Sequence, residues 1–203
     1  HISSTDLFHW RHHPTGLVGG MYSGNCFLNG NGVPTMCYHE VDLGNSLAIS
    51  EDDELNRWSK LNSNPITPDD PEVEANKSER KSPHGKGYRS WDPFGWYSSG
   101  NYYAIFGGES PAVAKASTLD GKWHYVGNLF AHAIDGISLQ EDVSCPDLFR
   151  LGNKDILLCI SHRMGCRYYV GKWKNEQFYP EHHAQMSWVD NTFFAPESLC
   201  LLY

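Results

Sequence analysis

Residues 140–149, with the sequence Q-E-D-V-S-C-P-D-L-F, combine three carboxylates, a serine and a cysteine within ten positions. Glu141 and Asp142 open this segment, and the apolar positions after them alternate as in a β-strand that Pro146 interrupts. A strand with carboxylates at its start and a proline inside it often bends beside a cavity. The alternative interpretation is a strand that follows a solvated acidic turn, and this segment taken alone does not separate the two.

A second carboxylate–proline pair stands upstream, at Asp92 and Pro93 within residues 89–96 (R-S-W-D-P-F-G-W). If the two segments form different strands, their carboxylates can meet at one site. Most glycoside hydrolases use a pair of carboxyl groups that flank the bond to be broken. Residue type and spacing therefore indicate glycoside hydrolysis, provided that the fold brings the two segments together.

The composition limits the classes of function and partner. The chain has 203 residues, a net charge of −8 and 40% hydrophobic residues, as expected of a globular protein with one sizeable core or two small ones. An acidic chain does not favour a nucleic-acid partner, and no apolar run approaches the ~20 residues that span a bilayer. The aromatic content of 13% suits β-rich folds and also sugar-binding clefts. We expect a carbohydrate partner, and the oligomeric state stays open.

Cysteines and histidines are numerous, but their spacing does not indicate a metal site. The six cysteines lie in apolar, strand-like runs without a C-x-x-C pair, which predicts buried free thiols. Two pairs of the eleven histidines are adjacent, at 12–13 and 182–183, and neighbouring side chains on a strand point to opposite faces. We therefore predict no metal site.

A pattern of a serine, an acidic turn and a tryptophan recurs along the chain. Copies stand at residues 4–10 (S-T-D-L-F-H-W), 50–58 (S-E-D-D-E-L-N-R-W) and, more loosely, 117–123 (S-T-L-D-G-K-W). A period of about fifty residues with several short strands per copy is typical of propeller blades. A chance recurrence of common turn residues is the alternative.

Apolar runs between these copies predict strands and hairpins. Residues 20–28 and 33–39 flank an Asn-Gly turn, and residues 94–97 and 101–106 flank a Ser-Ser-Gly turn. Residues 155–161 predict a buried strand with 166–171 as its neighbour. Residues 62–86 carry four prolines among polar residues and predict a long exposed loop within the same domain. No amphipathic helix is visible, so the chain is predicted to be all-β.

Five segments together resemble the family 32 glycoside hydrolases, which include invertases, levanases, inulinases and sucrose-6-phosphate hydrolases. They are S-T-D-L-F-H-W (4–10), Y-S-G (22–24), W-D-P (91–93), S-C-P-D (144–147) and F-F-A-P-E-S (193–198). The family counterparts are S-x-D-L-x-x-W, W/F-S-G, R-D-P, E-C-P-D and F-Y-A-P-Q. Each motif is weak by itself, but their order and spacing along nearly the whole chain are specific.

The resemblance implies a five-bladed β-propeller with a funnel-shaped site on its axis, retaining chemistry and no cofactor. Here it predicts roughly three to four blades of four-stranded antiparallel sheets. Residues 1–203 would form a single catalytic propeller domain, truncated at the N-terminus and at the C-terminus. The first residues show neither an initiator Met nor a signal peptide, so the sequence leaves the localisation open.

Three departures from the family pattern bear on activity. The family nucleophile, an Asp in the first blade, would lie upstream of residue 1. The Arg of R-D-P is Trp91, although Arg89 stands two residues earlier, whereas Asp92 is kept. In the family this Asp holds sugar hydroxyls and stabilises the transition state. The acid/base Glu of E-C-P-D is Ser144, which cannot protonate a leaving group.

Two neighbouring carboxylates are candidates for the missing acid. Asp142 shares strand parity with Ser144, and Glu141 matches the chemistry of the family glutamate but needs a bulge or turn to point inward. Glu141 is slightly preferred because its longer side chain tolerates a displaced backbone. Either would need a raised pKa, which burial beside another carboxylate provides.

The sequence thus predicts a glycosidase that cleaves β-fructofuranosidic bonds of the sucrose, levan or inulin type. A non-catalytic carbohydrate-binding propeller and a related five-bladed pentosidase are the alternatives. The predicted catalytic residues are Asp92, Glu141 and Asp142, and the predicted substrate-binding residues are Tyr22, Ser23, Arg89, Trp91, Trp96, Ser144 and Cys145.

Overall fold

The computed structural model describes residues 1–66, 75–76, 88–186 and 193–198, with the backbone alone for 75–76 and 88–89. All regular elements in these ranges are strands. They are β1 (Ile2–Ser3), β2 (Arg11–His12), β3 (Met21–Leu28), β4 (Pro34–Glu40), β5 (Gly44–Ser50), β6 (Trp58–Lys60), β7 (Ala75–Asn76), β8 (Tyr88–Arg89), β9 (Trp91–Ser98), β10 (Asn101–Gly107), β11 (Ala112–Ala116), β12 (His124–Asn128), β13 (Ser144–Leu151), β14 (Lys154–Ser161), β15 (Gly165–Lys174) and β16 (Gln177–Gln185).

Twelve of these strands form three four-stranded antiparallel sheets, each with its strands in chain order. Blade 1 comprises β3 to β6, blade 2 comprises β9 to β12, and blade 3 comprises β13 to β16. The pair β1–β2 is antiparallel and the pair β7–β8 is parallel. The predicted all-β propeller with three to four four-stranded blades is confirmed, with three complete blades in the described residues.

Turn residues close the predicted hairpins. The Asn29 side chain accepts hydrogen bonds from the N–H groups of Asn31 (2.9 Å) and Val33 (3.1 Å), so the loop between β3 and β4 is held from within. Between β9 and β10, Ser99 and Gly100 both have positive φ, as tight hairpin turns require. The pairing of β14 with β15 also follows the sequence-based prediction.

β10 shows how the blades pack on one another. Its residues alternate between two faces, and both faces are buried. Tyr102, Ala104 and Phe106 belong to the core between blades 1 and 2. Tyr103 and Ile105 belong to the core between blades 2 and 3. Blade 2 is therefore covered on both faces, which explains why β10 is apolar along most of its length.

The repeated serine–acid–tryptophan segments are turns between the last two strands of a sheet. In the second copy the Asp52 carboxylate accepts the N–H groups of Asn56 and Arg57, both at 3.0 Å, and Trp58 Nε1 donates to Leu55 O at 2.9 Å. The first copy has the same arrangement around Asp6. The looser third copy departs from it, since Trp123 is buried in the core between blades 1 and 2.

The cysteine prediction needs one correction. The five described cysteines are free, and Cys37, Cys159 and Cys166 are buried as expected. Cys26 is exposed because its side of β3 faces away from the cores, and Cys145 is partly exposed at the edge of a cavity. Cys200 lies outside the described residues.

Most of the predicted 62–86 loop also lies outside the described residues. Its first part packs against blade 1, where Asn64 exchanges two hydrogen bonds of 2.8 Å with the backbone of Leu47. No helix in the described ranges is long and apolar enough to cross a membrane. Within the same ranges, no group of three or more His, Cys, Asp or Glu side chains is arranged to hold a metal ion.

Candidate active site

The first strands of the three blades share one irregularity near their beginnings. In each strand, two residues lie opposite one residue of the neighbouring strand, which is the geometry of a β-bulge. The bulged pairs and the residues they oppose are Tyr22 and Ser23 with His39, Asp92 and Pro93 with Phe106, and Cys145 and Pro146 with Cys159. Bulges occur beside active sites because they redirect a side chain. Here they direct residues of three blades toward one place.

Backbone strain marks the same positions. Asp92, Cys145 and Ala195 have φ values of 34°, 46° and 47°, and each directly precedes a proline. Residues before proline ordinarily adopt extended conformations, and side-chain-bearing residues rarely have positive φ. Conformations of this kind persist where the surrounding structure enforces them, most often at functional sites.

A cavity of about 290 Å³ opens where the bulged strands meet. Its lining is mainly aromatic and polar, which suits the stacking face and hydroxyl groups of a sugar. The residues that line it are Tyr22, Ser23, Trp91, Asp92, Ser144, Cys145, Ile160, His162 and Phe194. The volume lies near the lower end of the ~300–1,000 Å³ of ligand pockets.

Asp92 is the carboxylate in this lining. It is 7% exposed, and its Oδ2 accepts the Cys145 N–H at 3.2 Å, which joins the starts of β9 and β13. Burial raises the pKa of Asp92, and the charge of Asp142 raises it further, while the hydrogen bond from Cys145 and the proximity of His39 lower it. The carboxyl group is thus held between two strands and faces the cavity.

Gly107 fixes the distance between these two strands. A β-carbon there would lie 2.6 Å from Val143 O and 2.7 Å from Asp92 O, closer than real contacts allow. The adjacent Gly108 exchanges backbone hydrogen bonds of 2.9 and 3.1 Å with Val143. The site therefore depends on a glycine that lets two backbones approach.

Cys145 lines the cavity beside Asp92. Its Sγ lies 3.4 Å from Ser23 Oγ and 3.6 Å from Asp92 Oδ2. Burial and the negative charge of Asp92 raise the pKa of the thiol to about 11. The group is therefore a neutral thiol at neutral pH, suited to contact with a sugar.

Asp142 lies directly behind the lining and is tied to two of its members. Its Oδ1 accepts the Ser144 hydroxyl at 2.7 Å. Its Oδ2 accepts the His162 backbone N–H at 2.7 Å and lies 2.7 Å from the Nδ1 of the same imidazole. The predicted parity with Ser144 brings the two side chains into contact, but Ser144 and His162 stand between Asp142 and the cavity.

Glu141 has different surroundings. Its side chain is 1% exposed, and it forms an ion pair with Arg163, whose side chain is 70% exposed. Its Oε1 accepts the Ser161 hydroxyl at 2.7 Å. Glu141 is not part of the cavity lining.

The other predicted binding residues divide into two groups. Tyr22, Ser23 and Trp91 line the cavity, and the Tyr22 ring stacks on His39 at 6.1 Å between centroids. Trp96 lies outside the lining, where its ring stacks on Tyr103 at 5.1 Å in the packing between blades 2 and 3. The Arg89 side chain falls outside the described structure.

Three lining residues, Ile160, His162 and Phe194, were not predicted from sequence. His162 follows directly after β14, and the sequence shows no motif around it. Phe194 belongs to the F-F-A-P-E-S segment and contacts the His162 ring edge-on at 6.2 Å between centroids. That segment is anchored to blade 3 because the Ser198 N–H donates to the Asp147 carboxylate. The segments W-D-P, S-C-P and F-A-P each place a proline after a residue with positive φ. This shared pattern could have indicated from the sequence that Phe194 lies at the site.

Glycoside hydrolases are among the solved structures with similar folds. An endo-1,4-β-xylanase from Bacteroides thetaiotaomicron superposes with a TM-score of 0.55 at 14% identity, over 85% of this chain and 63% of that chain. A family 117 glycoside hydrolase from Zobellia galactanivorans gives a TM-score of 0.52 at 15% identity, over 84% of this chain and 60% of that chain. At such identities the likeness concerns the fold alone.

Curated relatives are similar in sequence. A sucrose-6-phosphate hydrolase from Salmonella typhimurium is 30% identical over 78% of this chain and 35% of its own length. A sucrose-6-phosphate hydrolase from Klebsiella pneumoniae is 27% identical over 98% of this chain and 46% of its own length. The chain thus spans less than half the length of these relatives.

The sequence motifs and the propeller sheets both indicate the family that the sequence comparison identifies. The sequence profile of the glycosyl hydrolases family 32 N-terminal domain matches residues 1–200. The chain belongs to glycosyl hydrolase family 32.

Proposed function

We propose that this chain forms the catalytic propeller of an enzyme that hydrolyses β-fructofuranosidic bonds of the sucrose, inulin or levan type. The observation that carries the proposal is the position of Asp92, a buried carboxylate at the meeting point of two bulged strands in an aromatic-lined cavity. Family membership and the sucrose-6-phosphate hydrolases among the relatives support a fructoside as the substrate.

Asp92 is suited to hold the sugar as positive charge develops on it. A carboxylate fixed by the backbone N–H of Cys145 needs no reorganisation when the oxocarbenium-like transition state forms. Hydrogen bonds from sugar hydroxyls to this carboxylate would strengthen at that moment. The nucleophile would be the carboxylate that the family resemblance places upstream of residue 1.

For the proton that the leaving group needs, Asp142 is better connected to the cavity than Glu141. Asp142 contacts two lining residues, Ser144 and His162, whereas both oxygens of Glu141 are taken by Ser161 and Arg163. The geometry therefore supports Asp142 as the carboxylate that serves catalysis, although the sequence slightly favoured Glu141. The longer side chain of Glu141 is used for the ion pair instead.

A direct test is fructose release by the complete protein from sucrose, sucrose 6-phosphate, inulin and levan. Asp92→Asn is expected to abolish release, while Asp135→Asn, at an exposed position outside the cavity, serves as the matched control and retains it. Failure of the wild-type protein to release fructose from any of these substrates would overturn the proposal.

Ser144 favours a second candidate function, a sugar-binding propeller without catalysis. The family glutamate at this position is replaced by a hydroxyl group, which cannot donate a proton to a leaving alcohol. Calorimetric binding of sucrose or fructan oligosaccharides without release of fructose would support this candidate. Release that depends on Asp92 would exclude it.

A further inference from the structure

His162, like Ser144, contacts Asp142 and lines the cavity. Its side chain is 61% exposed and lines the cavity, while the side chain of Asp142 is 11% exposed. The imidazole is held at its Nδ1 by Asp142 Oδ2, and the backbone N–H of His162 donates to the same oxygen. Within the described residues, the Nε2 atom has no hydrogen-bond partner. The ring therefore presents one nitrogen to a carboxylate and keeps the other available.

A histidine between a buried carboxylate and a binding cavity can transfer a proton in either direction. The carboxylate fixes the tautomer and the orientation of the ring. The charged and titratable groups near His162 are Asp142 at its Nδ1, the adjacent Arg163, and three members of the same cavity lining, Tyr22, Asp92 and Cys145. The Phe194 ring lies next to the imidazole in a T-shaped arrangement.

We propose that His162 is the general acid and base of this active site, positioned by Asp142, in place of the glutamate that Ser144 replaces. This inference rests on the proposed function. In the first step the imidazolium gives its Nε2 proton to the glycosidic oxygen as the bond from that oxygen to the anomeric carbon breaks. The electron pair of that bond goes to the oxygen, and the alcohol leaves while the upstream carboxylate bonds to the anomeric carbon.

The second step reverses these roles. The neutral imidazole takes a proton from a water molecule, whose oxygen bonds to the anomeric carbon and releases the upstream carboxylate. His162 is again an imidazolium, and fructose is free. Ser144 stays a hydrogen-bond donor to Asp142 and exchanges no proton with the substrate.

The test compares substrates that differ in their need for an acid. Sucrose has a poor leaving group, whereas p-nitrophenyl β-D-fructofuranoside has one that departs without protonation. In the complete protein, His162→Asn keeps a polar group toward Asp142 but cannot transfer the proton. We expect kcat/KM to fall by about 10²-fold or more for sucrose and by less than about 10-fold for the aryl fructoside. Added azide should yield fructosyl azide from the aryl fructoside with this variant.

Controls separate this inference from the function on which it depends. His124→Asn, at an exposed position on β12, should leave both substrates unaffected, and His162→Gln provides a second variant if the first folds poorly. Equal losses on both substrates, or no loss, in an active protein would overturn the role of His162 alone. A wild-type protein inactive on both substrates would overturn the proposed function as well.

Discussion

Glu141 and Asp142 are adjacent in the chain and both are buried, yet their side chains lie in different surroundings. Glu141 pairs with an exposed arginine, Arg163, and neither residue lines the cavity. Asp142 contacts Ser144 and His162, which line the cavity. Two adjacent carboxylates therefore differ in their contacts, although both accept hydrogen bonds from the end of β14 and the turn after it. What distinguishes them is the set of groups that each one contacts.

The largest effect is expected where a carboxylate faces the substrate directly. Asp92→Asn should lower kcat for fructose release by about 10³-fold, since it removes the charge that stabilises the transition state. Steady-state kinetics of the complete protein with sucrose measure this effect. Activity within tenfold of the wild type would show that Asp92 is not part of the site.

Although Asp92→Asn should lower activity, we expect it to raise the thermal stability of the protein at neutral pH. Burial raises the pKa of Asp92 in the folded state, so the folded protein loses stability as the pH rises from the ordinary aspartate value of about 3.9 through the raised value. The Asn variant lacks this loss, so we expect it to melt higher than the wild type at pH 7 but not at pH 3. Thermal melts at the two pH values give the comparison, and a lower melting temperature at pH 7 would contradict it.

Asp142→Asn should reduce sucrose hydrolysis by about 10²-fold, because the amide no longer fixes the tautomer and orientation of the His162 imidazole. A smaller loss is expected with the p-nitrophenyl fructoside, whose leaving group needs no acid. Parallel kinetics with both substrates check this difference. Full sucrose activity in this variant would place the acid elsewhere.

Gly107→Ala tests the spacing that joins Asp92 to blade 3. The new β-carbon would meet Val143 O and Asp92 O at less than 3 Å, so the two strands must separate. We expect a loss of about 1–3 kcal/mol in the free energy of unfolding and a several-fold fall in kcat. Denaturant melts and kinetics measure the two effects, and an unchanged melt would contradict the close approach.

Glu141→Gln should have the smallest effect on activity. The amide oxygen can still accept the Ser161 hydroxyl, but the ion pair with the exposed Arg163 is lost. We expect a cost of about 1–2 kcal/mol in stability and activity within threefold of the wild type. Arg163→Gln is the matched control, since it removes the same ion pair from the other side.

Much of the fold could be predicted because the strands follow simple patterns. Apolar alternation and turn residues locate the β3–β4 and β9–β10 hairpins, and the recurring S-x-D turns mark equivalent points in successive sheets. The third copy is different because Trp123 packs into the core, which the pattern of residue types does not reveal.

The site could be predicted in part. The motifs identify Asp92, Ser144 and Cys145, which line the cavity. Strand parity could not decide between Glu141 and Asp142, since both precede β13 and their contacts depend on the turn after β14. Trp96 stands five residues beyond Trp91, about 16 Å along the strand, and is therefore part of the packing between blades.

His162 could not be found from the sequence because nothing around it forms a motif. Its place beside Asp142 comes from the pairing of β13 with β14, which brings the end of β14 next to the beginning of β13. That pairing places residues 142 and 162 side by side although twenty positions separate them. A contact of this kind is a property of the folded sheet.

The central claim is that, of the two adjacent carboxylates, Asp142 serves catalysis and Glu141 has a structural role. Fructose release from sucrose by the Asp142→Asn and Glu141→Gln variants of the complete protein, measured side by side, tests it most directly. We predict a loss of about 10²-fold for Asp142→Asn and activity within threefold of the wild type for Glu141→Gln. The reverse order, with Glu141→Gln inactive and Asp142→Asn active, would contradict the assignment.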